Sequence, residues 1–168
     1  MHDKNFEELY LEFSDKIYKY IYWQTQDPYL AEDFTGEVFT RVWKNWKKFK
    51  PDFSQAFLYR IAKNILIDFW RKNKNKKELS LETSIEEGIE PSYDEDMIGE
   101  IQKSSDIQNL HEAINKLPEN LKEVVILRFI EELPAKEVGE ILNITQVNVR
   151  VLQYRALQKL KEIFKNGK

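Results

Sequence analysis

PAKEVGEILNITQVNVRVLQYRALQKL, residues 134–160, is the stretch that decides the fold. Pro134 opens a short helix, Ala135 to Leu142, because proline suits the first turn of a helix and disrupts its interior. Asn143-Ile144 makes a tight turn, and Thr145 can cap a longer helix from Gln146 to about Lys165. Val149, Leu152, Ala156 and Leu160 recur at three- and four-residue steps, so they share one side and face a core. Arg150, Val151, Tyr154 and Arg155 are left for the outer surface. Short helix, turn, longer helix is the helix-turn-helix pattern, in which the second helix leads into the major groove of DNA with its N-terminal residues. Arg can pair with guanine or phosphate, and Val151 can touch a thymine methyl. Any pair of antiparallel helices shares this geometry, so a plain bundle with a basic solvated face fits the same letters. Gly139 falls where the two helices would pack most closely. A helix-interior Gly costs about 1 kcal/mol, and a tight crossing is its expected reason.

Upstream of this run the helical period continues. Leu110, Ile114 and Leu117 define a helix ending at Leu117-Pro118; Pro118 opens the next, with Leu121, Val125 and Phe129 inward. Residues 78–105 lose the period and are rich in Glu, Asp and Ser, with Gly88, Pro91 and Gly99, as a linker is. Before them, Phe6, Leu9, Tyr10, Phe13, Ile17 and Ile21 mark a first helix, broken at Gln26-Asp27-Pro28. Leu30, Phe34, Val38, Val42 and Trp46 mark a second, from about Tyr29 to Trp46. Ser54 can cap a third, running to about Lys72 with Leu58, Ile61, Ala62, Ile65, Leu66 and Phe69 on its core side. No strand pattern and no repeat occurs. The expected fold is all-α: two small helical domains, 1–77 and 106–168, joined by a flexible acidic linker, 78–105. Fully stretched, that linker spans roughly 90–100 Å. The two domains can therefore sit far apart on one large partner, and their relative orientation in the free chain is left open.

Composition narrows the function. The 168 residues include no Cys and two His, His2 and His111, which leaves no thiolate or His-rich metal site and makes an enzyme the least expected class. The N-terminus MHDKNFEELY is acidic and amphipathic, unlike a signal peptide, and no apolar run reaches the ~18 residues a membrane helix needs. A cytoplasmic protein without cofactor or metal is expected. The net charge of -3 hides an uneven distribution. Residues 69–77 carry five basic groups and no acid, residues 78–106 carry ten acids and one Lys, and residues 107–168 carry ten basic and eight acidic groups. Affinity for DNA follows local fields within a Debye length of about 8–10 Å, so the cationic ends can bind DNA despite the acidic middle.

Two faces of the N-terminal half carry candidate chemistry. On the second helix stand Asp33, Glu37, Arg41 and Lys44. Asp33 and Glu37 are one turn apart but lack a third ligand, and Glu37–Arg41 pairing on a solvated face or docking of a basic partner accounts for them. On the third helix Arg60, Asn64, Asp68 and Arg71 lie within about 80° of arc. Phe49, Phe53 and Phe57 precede them, and Lys72, Lys74, Lys76 and Lys77 follow. Rings that stack bases beside cations that track a backbone suit single-stranded nucleic acid; the same rings also fit a core, and Asp68–Arg71 a local ion pair.

Four runs then become recognisable. AEDFTGEVFTRVW (31–43) resembles region 2.2 of the sigma-70 family. AFLYRIAKNILIDFWRK (56–72) resembles its regions 2.3 and 2.4, AINKLPENLKEVVILRFIEELPAKEVGEILNIT (113–145) the start of region 4, and NVRVLQYRALQKL (148–160) one subgroup's recognition helix. No region 1.1 or region 3 domain is expected, so the resemblance is to the extracytoplasmic-function (ECF) sigma factors. It implies a factor that binds core RNA polymerase and directs initiation at promoters. Polymerase contacts would fall to Asp33, Glu37, Phe39, Arg41 and Trp43 on the β′ clamp helices, with region 4 at the β flap. The -10 element would be melted and read by Arg60, Lys63, Asn64, Asp68, Arg71 and Lys72, with Asn64 matching the position that contacts a flipped base. The loop Lys48 to Gln55 matches the base-specificity loop. The -35 element would be read by Asn148, Arg150, Val151, Tyr154 and Arg155. An anti-sigma factor is the further partner the resemblance implies. This chain departs from the family pattern at Gly36, where Gln is usual, at Phe57 for Trp, at Val138-Gly139 for Ile-Ala, and at Val151-Leu152 for Ser-Arg.

Overall fold

Asn5 starts the first helix, α1 (Phe6–Thr25), by accepting the Glu8 N–H at 2.8 Å. The computed structural model of the chain describes residues 5–49, 54–79 and 98–166. α1 ends where Gln26 turns left-handed at φ 57°. Asp27 immediately caps α2 (Pro28–Lys44), accepting from the Tyr29 and Leu30 N–H groups, with Pro28 in the first turn. Asn45 interrupts the helix, so Trp46 belongs to a separate turn, α3 (Trp46–Phe49). α4 spans Gln55–Leu79, past the Lys72 at which the apolar period stops. Its extra length, residues 73–79, reads NKNKKEL and carries no apolar stripe for a core-based reading to detect. α1, α2 and α4 pack together over Leu9, Phe13, Ile17, Val38, Val42, Leu58 and Leu66, all buried.

The second half opens with α5 (Ile98–Asn115), whose start lies well upstream of Ile107, inside the stretch read as linker. Periodicity reports only turns that bury an apolar side, and the first turns of α5 carry no such stripe in their sequence. Residues 80–97, the heart of the expected linker, lie outside the described residues, as do residues 50–53 of the Lys48–Gln55 loop, Phe53 among them. α6 (Glu119–Val125) runs into a π-helical turn, Ile126–Ile130, closed by the Glu131 N–H on the Ile126 carbonyl at 2.9 Å. The wide turn corrects one sequence expectation. Phe129 does not face inward; it is 43% exposed, while Ile126 and Leu127 take the core positions. One extra residue in the turn rotates the side chains beyond it off the 3.6 register.

α7 (Ala135–Leu142) and α8 (Gln146–Asn166) form the helix-turn-helix. Asn143 makes the turn in the left-handed region at φ 58°, and Thr145 Oγ1 accepts the Asn148 N–H at 3.1 Å. Val149, Ala156 and Leu160 are buried, with Leu152 half-buried. Gly139 is tightly enclosed, though by the turn rather than by the crossing helix: a Cβ there would lie 2.7 Å from the Ile144 carbonyl oxygen. Among the described residues there is no strand, and no helix is long and apolar enough to cross a membrane.

Candidate nucleic-acid interface

α4 carries its polar stripe on the side away from α1 and α2, and that stripe faces the second half of the chain. Arg60 donates from Nε and Nη2 to the Glu140 carbonyl oxygen at 2.8 and 2.5 Å. Glu140 lies in the last turn of α7, where carbonyls lack helical partners and the helix dipole favours a cation. Arg60 therefore serves as a C-terminal cap for a helix of the other half. Lys63 and Asn64 line the same crevice, together with Ile141 and Asn143. Gln55 donates to Glu137 at the head of α7. Asp68, Arg71 and Lys72 lie farther along α4, and all three are exposed.

Beneath this stripe the two halves are joined by buried polar pairs. Tyr20 of α1 donates its hydroxyl to the Glu123 carboxylate at 3.0 Å, and Tyr59 of α4 donates to Glu131 Oε2 at 2.8 Å. The two tyrosine rings meet edge to face at 5.5 Å, and all four residues are buried. Burial pushes the Glu123 carboxyl up to about 7, against the partial relief of the Tyr20 hydrogen bond. The same cause takes Glu131 to about 7, again with its tyrosine opposing. Glu131 Oε1 is buried without a partner, as suits a carboxyl that is readily protonated. Both phenols are raised, first by burial and then by the facing carboxylate. Beside them the buried Lys122 reaches the Gln24 carbonyl at 3.2 Å, and His111 stacks on Trp23 with centroids 3.5 Å apart. Ile67, Trp70, Leu142, Ile144 and Leu152 border an apolar cleft of about 350 Å³ between the halves.

The recognition face of α8 is open. Asn148, Arg150, Val151, Tyr154 and Arg155 are all exposed, so the structure brings these five together on one surface. On the far side of the N-terminal bundle, Asp33, Glu37, Arg41 and Trp43 are exposed on α2, with Arg41 Nη2 paired to Glu37 Oε1 at 2.7 Å. Phe39 differs from them: it is 3% exposed beneath Phe6 and Tyr10, and supports that face from below. Phe57 packs on Phe49 at 4.6 Å, so these two rings pair with each other. Sequence reasoning missed Tyr20, Tyr59, Glu123 and Glu131 as a group.

The architecture matches known proteins over both halves. The family profile described as Sigma-70 region 2 matches residues 9–76, and that described as Sigma-70, region 4 matches residues 113–162. The ECF RNA polymerase sigma factor SigW of Bacillus subtilis is 34% identical over 161 residues, covering 89% of this chain and 83% of the relative. The chain belongs to the ECF sigma factors. SigM of the same organism is 26% identical over 170 residues, covering 96% of both chains. Among solved structures, the sigma factor RpoE of Bartonella quintana, in complex with the anti-sigma factor NepR, has the same fold. Its TM-score is 0.70 at 17% identity, over 95% of this chain and 96% of that one. This sigma factor directs promoter-specific initiation of transcription. Region 2 falls on the α1–α4 bundle, and region 4 runs from the last turn of α5 through α8.

Proposed function

We propose that this sigma factor docks α2 on the β′ clamp helices of core RNA polymerase and sets region 4 at the β flap. It melts and reads the -10 element with α4, and reads the -35 element with the outer face of α8. The observation that carries the reading is how the polar surfaces are divided. The α8 face is free to meet duplex DNA, whereas Arg60, Lys63 and Asn64 lie against region 4. In this closed arrangement the two readers cannot act together. Parting the regions frees the α4 stripe, and polymerase, by holding both regions at a set separation, supplies the parting and raises the effective concentration of each reader. The protein then works in the cytoplasm by binding alone, and an anti-sigma factor is a further partner. Run-off transcription with core polymerase on a promoter library tests the reading; no initiation above core polymerase alone would overturn it.

Two substitutions separate the readers. Asn64 is exposed on α4 and makes no contact that the region 2 core requires. Asn64→Ala should lower open-complex formation, seen by permanganate reactivity, by about tenfold, as loss of one base contact worth about 1–3 kcal/mol implies. Binding to core polymerase should be unchanged; equal losses in both would make Asn64 structural. Arg155→Ala should weaken -35 protection and reduce the slope of log affinity against log salt by about one. An unaltered -35 footprint would remove Arg155 from the reader.

A further inference from the structure

Gly36 stands near the middle of α2, where its own fold gives no reason for glycine. A Cβ added there would meet nothing within 4 Å, and the residue does not have a positive φ. Mid-helix Gly nevertheless weakens a helix relative to Ala. The residue is exposed, and it floors the place where two grooves between α1 and α2 meet. One groove, about 450 Å³, is aromatic, bordered by Phe6, Tyr10 and Trp43. Tyr10 is 44% and Trp43 61% exposed, and both rings are braced edge to face, on Phe39 and on Phe6 respectively. The other groove, about 510 Å³, carries Asp15, Glu32 and Asp33, and none of the residues lining it is basic. Glu37 is already paired with Arg41, so that arginine does not offset these acids.

We propose that Gly36 is a notch that selects the partner helix: it admits a bulky side chain from a basic amphipathic helix lying along the α1/α2 groove. That helix sets apolar side chains on Phe6, Tyr10 and Trp43 and places Lys or Arg over Asp15, Glu32 and Asp33. Helix axes pack about 8–10 Å apart according to the side chains between them, and a missing side chain at the crossing point lets one knob enter where it would otherwise be excluded. The gap lies at the junction of the apolar and acidic grooves, so the knob also sets the register of the two chemistries. The inference rests on the reading that this face docks core polymerase, and it adds which feature of the docking helix this chain requires.

The test uses the full chain and core polymerase. Gly36→Ala and Gly36→Gln should both melt at a higher temperature than the native chain, because each improves the helix. Gly36→Gln, which fills the notch, should nonetheless bind core polymerase about tenfold more weakly, with Gly36→Ala between it and the native chain. Asp33→Asn should lower the salt dependence of binding without changing the melt. Binding of Gly36→Gln equal to native would overturn the notch and leave the docking reading standing. Failure of the native chain itself to bind core polymerase would overturn both.

Discussion

Lowering the pH of the free protein from about 8 to about 6 should draw its two regions together. Glu123 faces Tyr20 from α1 and Lys63 from α4, with Glu119 and Lys122 beside it on α6. Glu131 faces Tyr59 from α4 and Lys16 and Lys19 from α1, and Glu137 stands near Tyr59. Burial raises both carboxyls from 4.5 to about 7 in the closed form, whereas parting the regions returns them to water. The closed form therefore holds protons that the parted form has given up. Its advantage is full below the ordinary carboxylate value of 4.5 and is lost as pH rises through about 7. A rise of that size corresponds to on the order of 3 kcal/mol per carboxyl in favour of the closed form at low pH. Two groups oppose it. His111 is held below 6.5, by burial first and then by Lys122, so its protonation favours parting and flattens the response below that value. Lys122, also lowered by burial, favours closure only on the alkaline side.

The measurement is direct because the chain has no native cysteine. Dyes on cysteines replacing the exposed Lys47 and Lys159 would report the distance between regions by energy transfer. Transfer in the native chain should fall as pH rises through about 7. Glu123→Gln with Glu131→Gln should keep it high throughout, since neutral amides still pair with the phenols and carry no charge into the interface. Tyr20→Phe with Tyr59→Phe should lower it below the native value on the acid side as well, because each change leaves a buried carboxyl without its partner, a loss of about 1–3 kcal/mol per pair. A native chain whose transfer is flat with pH would show that these pairs do not govern closure.

The bundles were legible in the sequence because each needs one apolar stripe, and a stripe with a period near 3.6 is written in the letters. The break at Gln26-Asp27-Pro28, the helix starts at Pro118 and Pro134 and the Thr145 cap placed helix boundaries for the same local reasons. The contact between the regions was not legible. Tyr20, Tyr59, Glu123 and Glu131 carry no mark of their pairing, since periodicity says what a helix buries in its own bundle and nothing about what later covers its other side. One signal was there: residues 121–127, LKEVVIL, have too many apolar positions for a single stripe, and a helix apolar on most sides is covered on most sides. Phe129 was misplaced because a π turn leaves no mark in composition. The site divides likewise. The α8 face followed from the period alone, while the use of Arg60 as a cap for α7 depended on a partner helix eighty residues away.

Gly139→Val should unfold the helix-turn-helix while leaving region 2 intact. The glycine is buried in α7, and a Cβ would stand 2.7 Å from the Ile144 carbonyl oxygen, with the Gln146 nitrogen at 3.6 Å. These are backbone atoms, so no side chain can swing away. The Gly139 carbonyl also accepts the N–H of Ile144 at 3.0 Å and that of Asn143, which together hold the turn in place. Valine needs two methyls beyond the Cβ, and making room means pushing the turn off α7, breaking those bonds and uncovering Val138 and Val149. Overpacking of this kind costs about 1–3 kcal/mol where side chains can yield, and more where backbone must move. Hydrogen exchange on the full chain should show α7 and α8 losing protection while α1 and α2 keep theirs; unchanged protection in α7 and α8 would refute the steric account. Gly36→Ala has the opposite sign, since its added methyl points into open space. One glycine is held by the turn it touches, the other by nothing in its own chain. Loss of Gly139 should therefore register in stability and in -35 reading even without polymerase, whereas filling the Gly36 notch should weaken function only once polymerase is present.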